Sequence, residues 1–264
     1  MAFDINNLVI DHILRGVMTS TADGSFMWSI NQITEPSLSV TTETSEAVDA
    51  LGSKIATFDR AKNAEFSANN SIFDLGLFAA QNGRDKEVAS STSKIISPAF
   101  ETLTYDGTTS EIVLAHEPVE PIKNIYALKG DGTLGIAYTS GVSAGTDTFV
   151  YDGSAHKITV PTGLTKGTQL FVMYDYETEE AVQAIGDAIN FPKAGKFVME
   201  ILGSDVCNPS EKIHAYVVFP NAKLDANVDL SFTTDGNHPF KLIAQQSYCD
   251  SEKVLYKIVI PKED

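Results

Sequence analysis

Short apolar or alternating runs recur along the chain, each closed by Gly, Asn, Asp or Pro, and this spacing predicts strands more often than helices. The strands expected from it are Ser25–Ile33, Lys54–Phe58, Ile112–Leu114, Lys123–Lys129, Thr146–Tyr151, Lys157–Val160 and Gln169–Tyr176. Five more fall in the last quarter: Lys196–Leu202, Lys212–Phe219, Val228–Thr233, Phe240–Gln245 and Val254–Ile260. In Ile213–Phe219 one face carries Ile213, Ala215, Val217 and Phe219 and the other His214, Tyr216 and Val218. A strand so apolar is expected to be covered on both faces near its centre.

Two stretches carry helical spacing instead. Over Ser71–Gln81, Ile72, Leu75 and Ala79 form a stripe with Phe73 and Ala80 beside it, and Asn82-Gly83 supplies a left-handed stop. Ser71 followed by Asp74 resembles a capping box with Asp in place of Glu. Over Thr178–Ile189, Thr178 can cap and Glu179 and Glu180 favour the helix dipole. Ala181, Val182, Ile185 and Ile189 would face inward, and Pro192 prevents continuation. Between the two, residues 105–176 are rich in Gly, Thr and Asp, with turns at Asp106-Gly107, Asp131-Gly132 and Asp152-Gly153. They read as a compact β unit inserted into a core made of 1–104 and 177–264.

The 264 residues are 43% hydrophobic, enough to bury one large core or a core with a smaller appended unit. No segment approaches the roughly 18 apolar residues that span a bilayer. Met1–Met18 holds Asp4 and Asp11 and has neither a basic start nor a clean apolar stretch, so it does not read as a signal peptide. The expectation is a soluble protein without Sec-type export. Cys207 and Cys249 read as two reduced, partly buried thiols; a single disulfide or half of a metal site is the alternative.

The formal charge is −16, split as −5 over residues 1–100, −9 over 101–190 and −2 over 191–264. Nucleic-acid binding needs clustered Lys and Arg to displace counterions, so this balance argues against it. An acidic solvated surface aids solubility.

Candidate chemistry is sparse. Gly130-x-Gly132-x-x-Gly135 matches a dinucleotide fingerprint, but the continuation Ile136–Gly141 is not a helix, so no N-terminus faces a pyrophosphate. A hairpin or loop is expected there. His12, His116, His156, His214 and His238 form no pair at metal-ligand spacing; a site of Cys207, Cys249 and a histidine is the remaining arrangement. Glu177, Glu179 and Glu180 read as a helix start before a calcium site, and the sequon Asn69-Asn70-Ser71 as a helix cap. No nucleophile elbow, phosphate loop or His-Glu-x-x-His occurs, so no catalytic residue, cofactor or metal is expected.

Several stretches carry a resemblance. They are Gly24–Ile33 followed by Glu35, the acidic turn Glu43–Asp49, the run Asp49–Arg60, and Lys62–Ser71 leading into the helix. At the other end are Phe219–Leu224, Thr233–His238 and the last strand Lys253–Pro261. Together the first hundred residues and the last seventy resemble the major tail (tail tube) proteins of long-tailed phages; 105–176 is unmatched. The resemblance implies a mainly β fold: two packed antiparallel sheets, sandwich or barrel, flanked by a helix. It implies a structural virion protein without enzymatic activity, whose copies form rings, commonly hexameric, that stack into a tail tube. Implied partners are the chain itself, tape measure, terminator and baseplate proteins, and DNA that passes through without specific binding. Assembly would occur in the bacterial host cytoplasm. Glu43, Glu46 and Asp49 are candidates for an acidic channel lining that repels DNA, and 105–176 would lie at the tube exterior or thicken its wall. The alternatives are another virion component, such as a capsid decoration protein or head-proximal adaptor, a β-rich carbohydrate-binding or adhesin-like module, and an unrecognised hydrolase.

Overall fold

The computed structural model describes residues 7–207, 210–234, 237–246 and 252–262. First come β1 (Leu8–Thr19), β2 (Phe26–Ile30), β3 (Ile33–Val48) and β4 (Lys54–Asn70), then the helix α1 (Leu75–Gln81). Next are β5 (Glu87–Val88), β6 (Ile95–Thr104), β7 (Glu111–Val113), β8 (Asn124–Leu128), β9 (Leu134–Ser140), β10 (Thr148–Asp152), β11 (Lys157–Thr159), β12 (Gln169–Thr178) and β13 (Val182–Gln183). Last are β14 (Ala194–Asp205), β15 (Lys212–Leu224), β16 (His238–Ala244) and β17 (Lys257–Val259). The protein is mainly β with antiparallel sheets, as the sequence led one to expect, and it has one helix among the described residues where two were expected.

The chain divides into two compact units, residues 1–86 with 184–264, and residues 87–183. The second unit therefore begins earlier and ends later than 105–176. The reason is β6: it pairs with β12 along its whole length, from Ile95↔Thr178 to Thr104↔Gln169, so the boundary falls before it.

Unit 1 is built on one eight-stranded sheet in the order β2-β1-β14-β15-β16-β4-β3, with β17 also on β15. Alternate residues of β14 and β15, among them Phe197, Met199, Ile201, Ala215, Val217 and Phe219, are buried on one face. Neighbouring strands lie about 4.8 Å apart, so four strand steps across a flat sheet would separate β2 from β16 by about 19 Å. Yet the rings of Trp28 on β2 and Phe240 on β16 have centroids 6.3 Å apart. Phe66 on β4 likewise lies 6.1 Å from Phe197 on β14, three strands away. The sheet must curl for these contacts to form, and it is a half-barrel wrapped around Trp28, Phe66, Phe197, Phe219 and Phe240. Register shifts in β1 and β14 let those strands bend. Gly16 on β1 is required by the same packing, since a Cβ there would sit 2.7 Å from the Phe197 ring.

The helix differs from its expected form. It starts at Leu75, with Asp74 as the N-cap: the Asp74 carboxylate accepts from Leu77 N at 2.7 Å. Ser71 and the Asn69-Asn70 pair are not its cap; both asparagines belong to β4, opposite Thr34 and Ile33. The buried helix residues are Leu77, Ala79 and Gln81, while Ile72 is 59% exposed and Leu75 half-buried. The Asn82-Gly83 stop is as expected, with Gly83 at φ 72°.

Two further expectations fail. Thr178–Ile189 is no helix: Val182 pairs with Val88 in the two-stranded β5–β13 ribbon, and Ile189 is 81% exposed. A distant partner strand outcompeted a weak local preference. Val228–Thr233 forms no strand. In contrast, Ile213–Phe219 lies in β15 with Ile213, Ala215, Val217, Val218 and Phe219 buried.

Unit 2 is a seven-stranded sheet in the order β6-β12-β8-β9-β10-β11-β7, antiparallel except for the β9–β10 pair. Its own core contains Ile125, Phe149, Ile158, Leu170 and Val172. The Asp-Gly turns share one device: Asp106, Asp131 and Asp152 accept from the backbone N–H and hydroxyl of Thr108, Thr133 and Ser154. Those bonds hold all three carboxyls below the usual carboxylate range.

His238 ties α1 to the sheet. Asp74 N donates to its Nδ1 at 3.2 Å, so Nε2 carries the proton and donates to Gln81 Oε1 at 2.8 Å. Gln81 Nε2 in turn donates to the Pro239 carbonyl at 3.0 Å. Burial depresses the His238 pKa below its usual 6.5, and Asp74 only partly opposes this.

Two predictions follow from this packing. Leu77→Ala should cost about 2–5 kcal/mol and Leu75→Ala clearly less, measured by chemical denaturation. The unfolded chain protonates His238 at a higher pH than the folded chain does. Its contribution is therefore complete above about pH 6.5 and lost as pH falls toward the depressed folded value. His238→Gln should flatten the fall in stability between about pH 7 and 5; parallel curves for both proteins would refute the link.

Candidate assembly surfaces

β3 and β4 are the longest strands, and they outrun the sheet that anchors them. They pair from Ile33↔Asn70 to Val48↔Lys54, whereas β16 supports β4 only from Asn70 to Glu65. From Asn63 outward the two strands form a ribbon whose residues are mostly exposed on both faces. Its sequence, rich in Thr, Ser and Ala, favours extended backbone without asking for burial. The tip is a tight turn. Asp49 accepts through its carboxylate from Leu51 N at 2.9 Å and Ser53 N at 2.8 Å, and its N–H donates to the Ser53 carbonyl at 2.9 Å.

This arm displays apolar side chains to solvent. Leu51 at the tip is 92% exposed, and Val48, Ile55 and Phe58 are exposed behind it. An isolated two-stranded ribbon is only marginally stable in water, and exposed apolar patches of this kind mark contact surfaces.

The three acidic candidates all lie on this arm and all are exposed. Glu43 sits at a register shift between Thr42↔Lys62 and Thr44↔Asp59. Glu46 pairs with Lys54 across the ribbon. Asp49 builds the tip turn. Lys54, Arg60 and Lys62 interleave with them, so the arm is not a uniformly acidic strip.

The half-barrel also has two open edges. β2 and β3 end the strand order, and no described strand pairs with their outer flanks. Unpaired strand edges invite pairing with another chain. Unit 2 adds an exposed apolar face: Ile96 and Phe100 on β6 beside Met173 and Phe171 on β12, with the Phe100 and Phe171 rings stacked at 6.0 Å. Sequence patterning missed β1, β5, β6, β9, β13 and most of β3 and β4. The signal for β3 was its run of Thr, Ser and Glu, which alternates too little to show a buried face.

The groups weighed for chemistry are spread out. The Gly130–Gly135 segment is the β8–β9 hairpin, closed by Lys129 N donating to the Thr133 carbonyl at 2.9 Å. Glu177 and Glu179 flank Lys94 at 3.8 and 3.9 Å, and Glu180 N donates to the Thr178 hydroxyl in a turn. His12 lies beside Asp11, His116 stacks on Tyr176, and His214 Nδ1 is 2.9 Å from Glu200. Cys207 is an exposed free thiol, and Cys249 lies outside the described residues. Among the described residues no three His, Cys, Asp or Glu side chains gather to hold a metal ion. No helix among them is long and apolar enough to cross a membrane.

What stands out is therefore exposed surface: an arm bearing exposed apolar side chains on a curled antiparallel sheet with two edges that no described strand covers. Comparison with curated proteins finds no match. A family profile, by contrast, matches residues 8–247, spanning both units and leaving out only the first seven and last seventeen residues. That agrees with the tail-tube resemblance of the two ends and extends it through the middle: the chain belongs to the YomU/Tube protein family.

Proposed function

We propose that this is a structural virion protein, without catalytic activity, whose copies assemble into rings that stack as the tube of a long phage tail. The single observation that carries this is the β3–β4 arm. It exposes Leu51, Ile55 and Phe58 on a ribbon with no described element behind it, and burial against another copy would stabilise both. The open edges of β2 and β3 suit the same end. Head-to-tail contacts close into a ring when the rotation allows, and stacked contacts make a filament. Family membership supports the tube reading.

In this reading the ring is commonly hexameric. The tube meets tape measure, terminator and baseplate proteins, and DNA passes through it without specific binding. Assembly takes place in the host cytoplasm. Glu43, Glu46 and Asp49 are the acids offered to the channel. Their repulsion of DNA would reach about 8 Å at physiological salt, so it acts only close to the wall.

The arm is the part to test. Leu51→Ser should raise the concentration needed for assembly about tenfold or more, as expected if a side chain contributing about 1.5–3 kcal/mol is lost from a contact. Its thermal stability should stay near that of the parent, because an exposed tip residue contributes little to folding. Light scattering against concentration, with electron microscopy of the product, reads both rings and tubes. A parent protein that stays monomeric at every concentration and salt would overturn the reading. Unit 2 gives a second test. Pairing of Val88 with Val182 brings its two chain ends together, so excising 89–181 with a short Gly-Ser bridge should leave unit 1 folded and able to assemble. Loss of assembly with the fold retained would mean that unit 2 supplies ring contacts.

A further inference from the structure

The unit 1 sheet contains a gap. β15 pairs with β16 at Ala222–Leu224 and, further back along its length, with β17 at Tyr216–Val218. β16 carries the sheet on to β4, but that pairing ends at Ile243↔Glu65. Beyond it, Lys62 and Asn63 of β4 pair with Thr42 and Thr41 of β3, and no described strand pairs with their other flank. β17 is placed likewise, with β15 on one side and no described strand on the other. Residues 60–63 and 253–258 line a single groove.

The groove is basic in a chain of net charge −16. Arg60 and Lys62 stand on one side, Lys253 and Lys257 on the other. None of the four has a carboxylate partner among the described residues. Three other cations of the same sheet do: Lys54 of β4 pairs with Glu46, Lys212 of β15 with Asp11, and Lys241 of β16 with Glu65, whereas Lys196 of β14 and Lys223 of β15 stand singly outside the groove. Four uncompensated like charges repel one another, and an incoming carboxylate relieves that repulsion. Ile258 is 58% exposed in the groove and adds an apolar foothold.

We infer that the groove between β4 and β17 takes an extended, carboxylate-bearing segment of a second copy of this chain, added as a strand. The inference rests on the assembly reading above and names the surface that would serve it. Strand addition satisfies a row of backbone donors and acceptors while side-chain charge sets the partner. A second copy is the acidic polypeptide always at hand. Two strand edges match a peptide backbone, whereas a nucleic acid would use the cations and leave the edges unpaired.

The test uses the full chain. Arg60→Glu with Lys257→Glu should raise the assembly concentration tenfold or more. Parent assembly should weaken between about 50 mM and 500 mM salt, while Arg60→Gln with Lys257→Gln should respond less to salt. A photo-crosslinking benzoylphenylalanine at position 258, in an otherwise unaltered chain, should crosslink to an Asp- or Glu-bearing peptide of another copy, identified by mixing isotopically light and heavy protein. This second measurement stands even if the charge-reversed chain fails to fold. If the parent assembles and the charge-reversed chain assembles equally well, or if crosslinks stay within one copy, the inference falls and the assembly reading survives. A parent that never assembles overturns both. A labelled DNA duplex that binds the parent and not the reversed chain, with assembly unchanged, would reassign the groove to nucleic acid.

Discussion

A sheet that curls without closing leaves the backbone groups of its outer strands without partners, and the rest of this protein follows from that. Eight strands wrap far enough for Trp28 to meet Phe240, but β2 and β3 remain edges among the described strands. Natural proteins cover, shorten or charge such edges. Here β2 is short, while β3 is long, polar and continued into an arm that stands clear of the sheet. The arm's exposed apolar residues and the edges left open by the described strands are the features on which the proposed assembly rests.

The curl in turn depends on aromatic packing. Phe66 on β4 contacts Phe197 on β14 and Phe219 on β15, drawing together strands that are not hydrogen-bonded to it, and also meets Phe240 on the adjacent β16. Gly16 leaves room for Phe197, and α1 adds Leu77 to the same core. The His238–Gln81 pair fastens the helix to β16, and Asp74 serves both the cap and the histidine. Unit 2 draws on none of this. It has its own core and its own turn chemistry, and its two ends meet in the β5–β13 ribbon.

Charge divides the surface differently from its total. The chain is acidic overall, yet four cations without a carboxylate partner among the described residues, Arg60, Lys62, Lys253 and Lys257, line one groove between β4 and β17. Net charge sets solubility and long-range repulsion between copies. Local imbalance is a separate property, and in the proposed assembly it is what would let a protein of −16 receive its own carboxylates.

Much was legible in the sequence because burial leaves a local trace. β14 and β15 alternate clearly, and the Asp-Gly turns carry their own hydrogen-bond chemistry. Asn82-Gly83 ended the helix because only a left-handed residue could follow. Other features left no trace of that kind. Most of β3 is exposed on both faces, so its Thr-, Ser- and Glu-rich sequence shows no period. Thr178–Ile189 had the spacing of a helix but was claimed by Val88, some ninety residues earlier. Glu46 and Asp49 showed in the sequence only as acids of one turn; that Glu46 pairs with Lys54 and that the Asp49 carboxylate holds the arm's tip came from the fold. The sequence by itself determined which residues prefer to be extended, buried or turned, since those preferences act over a few neighbours. Only the tertiary structure decided which strands pair, how far the sheet curls, where it gaps, and which charges lack a partner, because each depends on groups that folding brings together from distant parts of the chain.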